Sequence, residues 1–341
     1  PMTIGDTGTM AVGIDPTGAV VIAGPYDDVH PFAGGLAAVQ TGDKWGFIDH
    51  SGRQVVAPKF DEVGDDDATR NGGHYLPCFS EGLCAASTSD AWGYVDRSGE
   101  WVVEPRFAQA GRFMEGLAGV REHAEPGLGK VGFVDRTGAM IIPARYTDAL
   151  WFSGGRAIAV VERDPRPQAN GAASNDPPRS VVMIDRTGRE IADVGWNGLE
   201  DSMDLVAGYL EMSALDYLAD GLVPASQDTR WGYMDRHGQW LIAPQFGLAL
   251  PFRNGRAVVM VLNELEGLFD DDDARAGIID TSGRWLVRPE LTGVGGASPD
   301  QIVAALHERW GVLNGDGQWT IEPRYREIDG NSGLLPETNL D

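Results

Sequence analysis

The stretch Asp43-Lys44-Trp45-Gly46-Phe47-Ile48-Asp49-His50-Ser51-Gly52, continued by Val55-Val56-Ala57-Pro58-Lys59-Phe60, decides how this chain is read. Its kernel is an apolar pair followed by Asp, two variable residues and Gly. Eight versions of the phrase occur, ending at Gly18, Gly52, Gly99, Gly138, Gly188, Gly238, Gly283 and Gly317, and Asn314 replaces Asp in the last. The glycines lie 34 to 50 residues apart, so a unit of about 34 residues is repeated with inserts of unequal length. A period of this size marks an array of supersecondary units, each too small to bury its own apolar face.

Within a unit three segments alternate apolar and polar residues with period two, as strands do. The first is exemplified by Gly35-Leu36-Ala37-Ala38-Val39, the second by Trp45-Gly46-Phe47-Ile48-Asp49, and the third by Trp101-Val102-Val103-Glu104. Asp-Arg-Ser-Gly (Asp96 to Gly99) and its equivalents fit a type I turn closed by a glycine bulge. The carboxylate accepts backbone N–H groups ahead of it, and Gly takes positive φ. An Asp needed in almost every unit is structural rather than catalytic. Proline follows about six residues later, then an aromatic, as in Pro58-Lys59-Phe60, Pro105-Arg106-Phe107 and Pro323-Arg324-Tyr325. Because proline cannot donate into a ladder, it ends the strand or occupies an exposed edge, and the aromatic returns to the core. The glycine after Trp leaves a bare backbone that invites a neighbouring unit. Phe47, Tyr94, Phe133 and Tyr233, two residues before the turn Asp, are expected to be buried in equivalent places.

These phrases resemble the WG (or KWG) repeat family over roughly residues 10 to 329. Departures are the missing Trp at Val12, Val131 and Ala276, and a fifth unit with Val181-Val182 for Trp-Gly and no proline. The resemblance implies a bacterial β-repeat protein whose repeats mediate binding, with members among secretion-effector and toxin–immunity genes. The expected fold is all-β: about eight three-stranded antiparallel meanders wound as a solenoid-like superhelix, with a closed β-propeller-like ring as the alternative. The repeats fall near 10–39, 40–79, 80–113, 114–152, 153–215, 216–252, 253–300 and 301–330 of a single array. Inserts occupy 61–77, 161–180, 197–219 and 262–275, and the apolar spacing in 197–219 reads as a helix.

Composition bounds the function. The formal net charge of −24, from 51 acidic and 27 basic residues, argues against nucleic-acid binding, which depends on Lys and Arg displacing counterions. A basic protein is the better-matched partner. No run of 18 apolar residues exists to span a bilayer. The start, Pro1-Met2-Thr3, carries no basic stretch and no apolar h-region, so a cytoplasmic location is expected, with upstream processing left open. Cys78 and Cys84 read as small core residues or as a local disulfide.

No enzymatic constellation emerges: there is no nucleophile elbow, zinc-helix motif, P-loop or Rossmann fingerprint. The six histidines show no ligand spacing. No cofactor and no metal are expected. The acidic runs Asp65, Asp66, Asp67 and Asp270, Asp271, Asp272, Asp273 lack the glycine-punctuated order of a Ca²⁺ loop. They read as solvated loops or as the contact points for a basic partner. The expected function is a non-catalytic scaffold for protein–protein binding, a neutralised toxin being one such partner. The alternatives are a carbohydrate or cell-envelope module with exposed aromatic rings, and an enzyme with a site built from inserts.

Overall fold

The structure, a computed structural model, describes residues 12–14, 20–23, 26–64, 78–123, 128–163, 179–195, 218–227, 229–261, 275–298, 301–307 and 309–326. The chain divides into two compact units, residues 1–179 with 184–189, and 180–183 with 190–341. Strands dominate both. The one helical turn among the described residues is Ala219–Gly221, so most of the helix expected over 197–219 lies outside them.

The fourth repeat shows the plan. A two-residue connector strand, Gln109–Ala110, pairs with a first strand, Leu117–His123, which pairs with a second, Leu128–Asp135, and then a third, Met140–Tyr146. All neighbours are antiparallel. The same order is found in the second, third, fifth, seventh and eighth repeats, whereas the sixth, Leu222–Gln227, Arg230–Asp235 and Trp240–Phe246, has three strands. The three-stranded meander is thus present, with a short fourth strand added from the segment that joins one repeat to the next. In the other repeats that have it this strand is two residues long, too few to show a period; in the eighth it is the glycine-rich Gly293–Ser298. The first repeat is described as one hairpin, Val12–Ile14 with Val20–Ala23.

The turn phrase folds as its chemistry dictates. In the second repeat Gly52 N–H donates to the Asp49 carbonyl (2.9 Å) and Asp49 N–H to the Arg53 carbonyl (3.0 Å). Asp49 Oδ1 accepts the N–H groups of Ser51 (2.9 Å) and Arg53 (3.1 Å) and the Ser51 hydroxyl (2.6 Å). Turn glycines 52, 99, 138, 188, 238, 283 and 317 all have φ between 77° and 82°, the left-handed region that glycine enters without a Cβ penalty.

The glycine after Trp has a different cause from the one expected. Phe133 pairs with Ile142 and Val131 with Tyr146, so two steps on the second strand match four on the third. The surplus forms a bulge that folds over Gly132, where a Cβ would lie 2.7 Å from both Ala144 N and the Ile142 carbonyl oxygen. Gly46, Gly93, Gly232 and Gly311 meet their own third strands at 2.3 to 2.5 Å in the same way. The close approach therefore comes from within the repeat, not from a neighbour. Proline sits in this bulge on the edge strand, where no ladder hydrogen bond is lost, and the strand continues to the aromatic beyond it. The fifth repeat, lacking both residues, has only Glu190–Asp193 in this place.

Cores are shared between successive repeats. Phe47, Val56 and Phe60 cluster with Phe79, Cys84, Ala86 and Val95 of the next repeat, and Tyr94, Val103 and Phe107 with Phe113, Ala118 and Val134. Phe47, Tyr94, Phe133 and Tyr233 are fully buried, as their strand position requires. Each meets the Phe that leads into the following repeat, with ring centroids 4.6 to 5.0 Å apart. The two tyrosine hydroxyls donate to the carbonyls of Gly111 (2.9 Å) and Leu250 (2.7 Å), which removes the cost of burying them. Cys78 and Cys84 form a disulfide across the hairpin of Phe79–Ser80 and Leu83–Thr88, with Cα atoms 5.2 Å apart, so the local disulfide is the reading found.

Candidate binding surface

Turn glycines do a second job at the junctions between repeats. A Cβ on Gly99 would lie 2.6 Å from Val56 Cγ1, on Gly138 2.8 Å from Val103, on Gly188 2.7 Å from Ile142, on Gly238 2.6 Å from Ala192, and on Gly317 2.7 Å from Val287. Each of these turns rests on a residue of the preceding third strand, a buried aliphatic at Val56, Val103, Ile142 and Val287 and the half-buried Ala192 in the fifth repeat. At Gly188 the seat also carries hydrogen bonds: Tyr146 hydroxyl donates to the Gly188 carbonyl (2.9 Å), and so does Arg145 Nη2. Arg106 donates likewise to the Gly138 carbonyl (2.5 Å).

Acidic side chains reinforce these junctions. Connector and first strand are joined by turns with two positive φ values, such as Glu81-Gly82, Glu115-Gly116 and Asn254-Gly255, the type I′ geometry. Glu81 accepts the Gly116 N–H (3.0 Å), Glu115 the Gly155 N–H (2.9 Å), and Asp220 the Gly255 N–H (2.7 Å). Each carboxylate reaches the turn of the next repeat. The turn aspartates are equally occupied. Asp49 is held down to about 2, first by the Ser51 hydroxyl and further by Arg53, although desolvation opposes the shift. Asp280 is held down to about 2 by Ser282 and Arg284 in the same way, again against desolvation. In the eighth repeat Asn314 Oδ1 accepts the Asp316 (3.0 Å) and Gln318 (2.9 Å) N–H groups without any charge. A position at which a neutral amide serves equally well is structural.

The outer faces differ. Residue three past the turn glycine is an exposed aliphatic on the third strand: Val55 (40%), Val102 (44%) and Ile141 (45%) in the first unit, Leu241 (60%) in the second. The third strand is also a sheet edge in these repeats. Lone exposed aliphatics are ordinary, but the same position occupied on successive edge strands is a patterned apolar surface. Its sequence signal is the unbroken pairs Val55-Val56, Val102-Val103, Ile141-Ile142 and Leu241-Ile242, because strand alternation turns one member of each pair outward. The aspartates singled out from the sequence, Asp65, Asp66, Asp67 and Asp270 to Asp273, lie outside the described residues.

None of the nine described tryptophans is exposed; Trp45 and Trp92 are buried, and Trp101 and Trp285 pack edge-on against Phe60 (5.5 Å) and Phe246 (5.8 Å) of the preceding repeats. A cavity of about 60 Å³ lies beside Arg121, Asp148 and Trp151, far below the ~300–1,000 Å³ of small-molecule sites. Arg121 there is bound to Gln109 (2.8 Å), the Gly129 (3.0 Å) and Thr147 (2.9 Å) carbonyls and Asp148 (3.3 Å). Among the described residues no group of three or more His, Cys, Asp or Glu is placed to hold a metal, and no helix is long and apolar enough to cross a membrane.

Comparison with known families gives matches to the WG containing repeat at residues 14–45, 45–67, 92–123, 132–162, 231–264 and 310–333, just over half of the chain. No curated protein matches. Among solved structures, Hsv2 of Kluyveromyces marxianus is 12% identical, with 89% of this chain and 86% of that one covered at a TM-score of 0.33. A Bacteroides caccae protein of unknown function is 13% identical, with 84% and 91% covered at 0.28. Acylaminoacyl peptidase of Pyrococcus horikoshii is 10% identical, with 71% of this chain but only 44% of the peptidase covered, at 0.31. Likeness at this level carries no functional information.

Proposed function

The chain belongs to the family of proteins built from WG containing repeats, and from that premise we propose that it is a non-catalytic scaffold that binds a protein partner along its third-strand edges. The observation that carries this reading is the recurrent exposed aliphatic at Val55, Val102, Ile141 and Leu241. Inward-facing residues are consumed by the shared cores, and the recurrent carboxylates by turns and junctions. What remains patterned and available is an apolar row on an edge strand, a surface that accepts another chain by side-chain contact or strand pairing.

A net charge of −24 favours a basic partner. Long-range attraction speeds encounter and makes it sensitive to salt, while desolvated apolar anchors hold the complex once formed. Asp65, Asp66, Asp67 and Asp270 to Asp273 are the natural steering charges, because they fall in acidic runs outside the repeated phrase. Neutralisation of a basic toxin is the specific role this combination suits best. The test is capture on the immobilised full chain at low and high salt, with a variant carrying Val55→Ser, Val102→Ser and Ile141→Ser. A basic protein held by the parent chain and released by the variant, with capture faster at low salt, supports the proposal. Equal capture by both chains removes the third-strand row from it.

A further inference from the structure

The third repeat has an interrupted connector, and it carries both cysteines of the chain. In the fourth, fifth and seventh repeats the connector runs unbroken into the Phe that enters the core, as Gly111-Arg112-Phe113, Leu150-Trp151-Phe152 and Leu250-Pro251-Phe252. Its first part is held to the first strand by the same two bonds each time. Ala108 and Gly111 N–H donate to the Arg121 (2.8 Å) and Gly119 (2.9 Å) carbonyls, and Thr147 and Leu150 N–H to those of Val160 and Ile158 (2.8 Å each). In the third repeat Asp61 and Gly64 N–H make these bonds, to the Ser87 (3.0 Å) and Ala85 (2.9 Å) carbonyls, but Cys78-Phe79 follow only after residues 65–77. An insert stands where the other three repeats have a peptide bond.

Cys78 takes the place before this Phe, where Pro31, Arg112, Trp151 and Pro251 stand, and Cys84 the first-strand place of Ala37, Ala118, Ala157 and Ala257. Two departures from the repeat thus fall at the two positions that one hairpin brings within bonding reach, with Cα atoms 5.2 Å apart. The bond ties the far end of the insert to the strand that holds its near end, since Cys84 adjoins Ala85. What it fixes joins three repeats. Phe79 packs edge-on against Phe47 of the second (4.9 Å), the Ser80 hydroxyl donates to the Phe113 carbonyl, and Glu81 accepts the Gly116 N–H (3.0 Å) of the fourth. Without the bond these residues reach their places only by closing the loop over 65–77, an entropic cost that an unbroken connector does not bear.

We propose that the Cys78–Cys84 disulfide is an oxidation-dependent lock on the stacking of repeats two to four, so that the chain completes its fold and works in an oxidising compartment. This takes the place of the cytoplasmic location expected from the sequence, because thiols are kept reduced there. The bond forms by exchange with a disulfide donor, a thiol oxidoreductase or a small-molecule disulfide. One cysteine thiolate attacks a donor sulfur, and the other then attacks the mixed disulfide. Two electrons pass to the donor, which leaves as two thiols with the two protons that the cysteines give up. Once formed the bond is buried, with Cys78 5% and Cys84 0% exposed, so a reductant reaches it only when the repeat opens.

Hydrogen exchange of the full chain, oxidised and refolded in a phosphine reductant, reads the lock directly. Reduction should lower protection of the strand Leu83–Thr88 by about thirtyfold or more, the lower range of what a native disulfide contributes. The strand Trp240–Phe246 serves as the unaffected reference. A chain without residues 65–77, with Gly64 joined to Cys78, regains an unbroken connector and should respond to reduction far less. A Cys78→Ser, Cys84→Ala chain should match the reduced parent in either buffer. In acid-quenched cells of the natural host, a maleimide should label neither cysteine until reductant is added. Should the shortened chain fail to fold, the parent's response and the thiol labelling still decide. Equal protection in the oxidised and reduced parent, an equal response in the shortened chain, or two free thiols in the quenched cells overturns the proposal.

Discussion

Gly132 and Gly119 occupy adjacent strands of one sheet and are predicted to respond to alanine with opposite signs. Both lie in extended segments without positive φ, where alanine alone stabilises by about 0.4–1 kcal/mol through loss of unfolded-chain entropy. At Gly119 the added Cβ would meet Phe133 Cε1 at 3.7 Å and Val131 Cγ1 at 3.8 Å, ordinary contacts, so the gain survives. At Gly132 it would meet Ala144 N and the Ile142 carbonyl oxygen at 2.7 Å, both backbone atoms of a bulge fixed by pairing on either side. Overpacking of this kind costs about 1–3 kcal/mol, more when no side chain can yield. Subtracting the entropic gain leaves Gly132→Ala destabilised by up to about 2.6 kcal/mol, toward the upper end because both contacted atoms are backbone. Urea unfolding of the three chains, with hydrogen exchange across 128–146 to localise the effect, measures the difference. A Gly132→Ala protein at least as stable as the parent would refute the bulge as the reason for the Trp-Gly phrase.

Further expectations follow from the turns and from one buried base. Gly99→Ala, at φ 81° and facing Val56 Cγ1 at 2.6 Å, should lose more than the ~1–2 kcal/mol of a left-handed residue alone, measured by urea unfolding. Asp49 and Asp280 titrate at about 2 against an ordinary 3.8, so their contribution is complete above pH 4 and is lost as pH falls through 2. Carboxyl NMR should show this, with the Asn314 turn indifferent to pH. His30 is buried against Trp45, and burial, partly opposed by Asp28, lowers it from 6.5 to about 4. A base depressed on folding gives stability that is full above pH 6.5 and falls as pH drops toward 4, by about 3 kcal/mol. His30→Phe should flatten that slope in unfolding measured between those limits; an unchanged slope would place its origin elsewhere.

Local chemistry was legible in the sequence, and pairing was not. Asp-x-x-Gly declares its turn because the carboxylate and the positive φ act within five residues. Phe47, Tyr94, Phe133 and Tyr233 declare their burial because one strand's alternation suffices to show it. The glycine of Trp-Gly reads from sequence as room for a neighbouring unit and not as a bulge contact, since a bulge depends on the register between two strands, and periodicity along one strand carries no register. The proline was legible as an edge residue, but the bulge that accommodates it was not. The seat of each turn glycine on the preceding third strand joins residues 30 to 46 positions apart, such as Gly317 on Val287 and Gly188 on Ile142, and only stacking brings them together. Of the candidate surface, the outward row was present in the sequence as unbroken aliphatic pairs. The acidic runs, conspicuous in composition, fall outside the described residues.

Hydrogen exchange of the full chain, free and with the captured partner, tests the central claim most directly. Binding along the third-strand edges predicts added protection at 54–60, 101–107 and 140–146, with the second strands between Lys44 and Asp49 and between Leu128 and Asp135 unchanged. Protection confined to other segments, with those three strands unaffected, would contradict it.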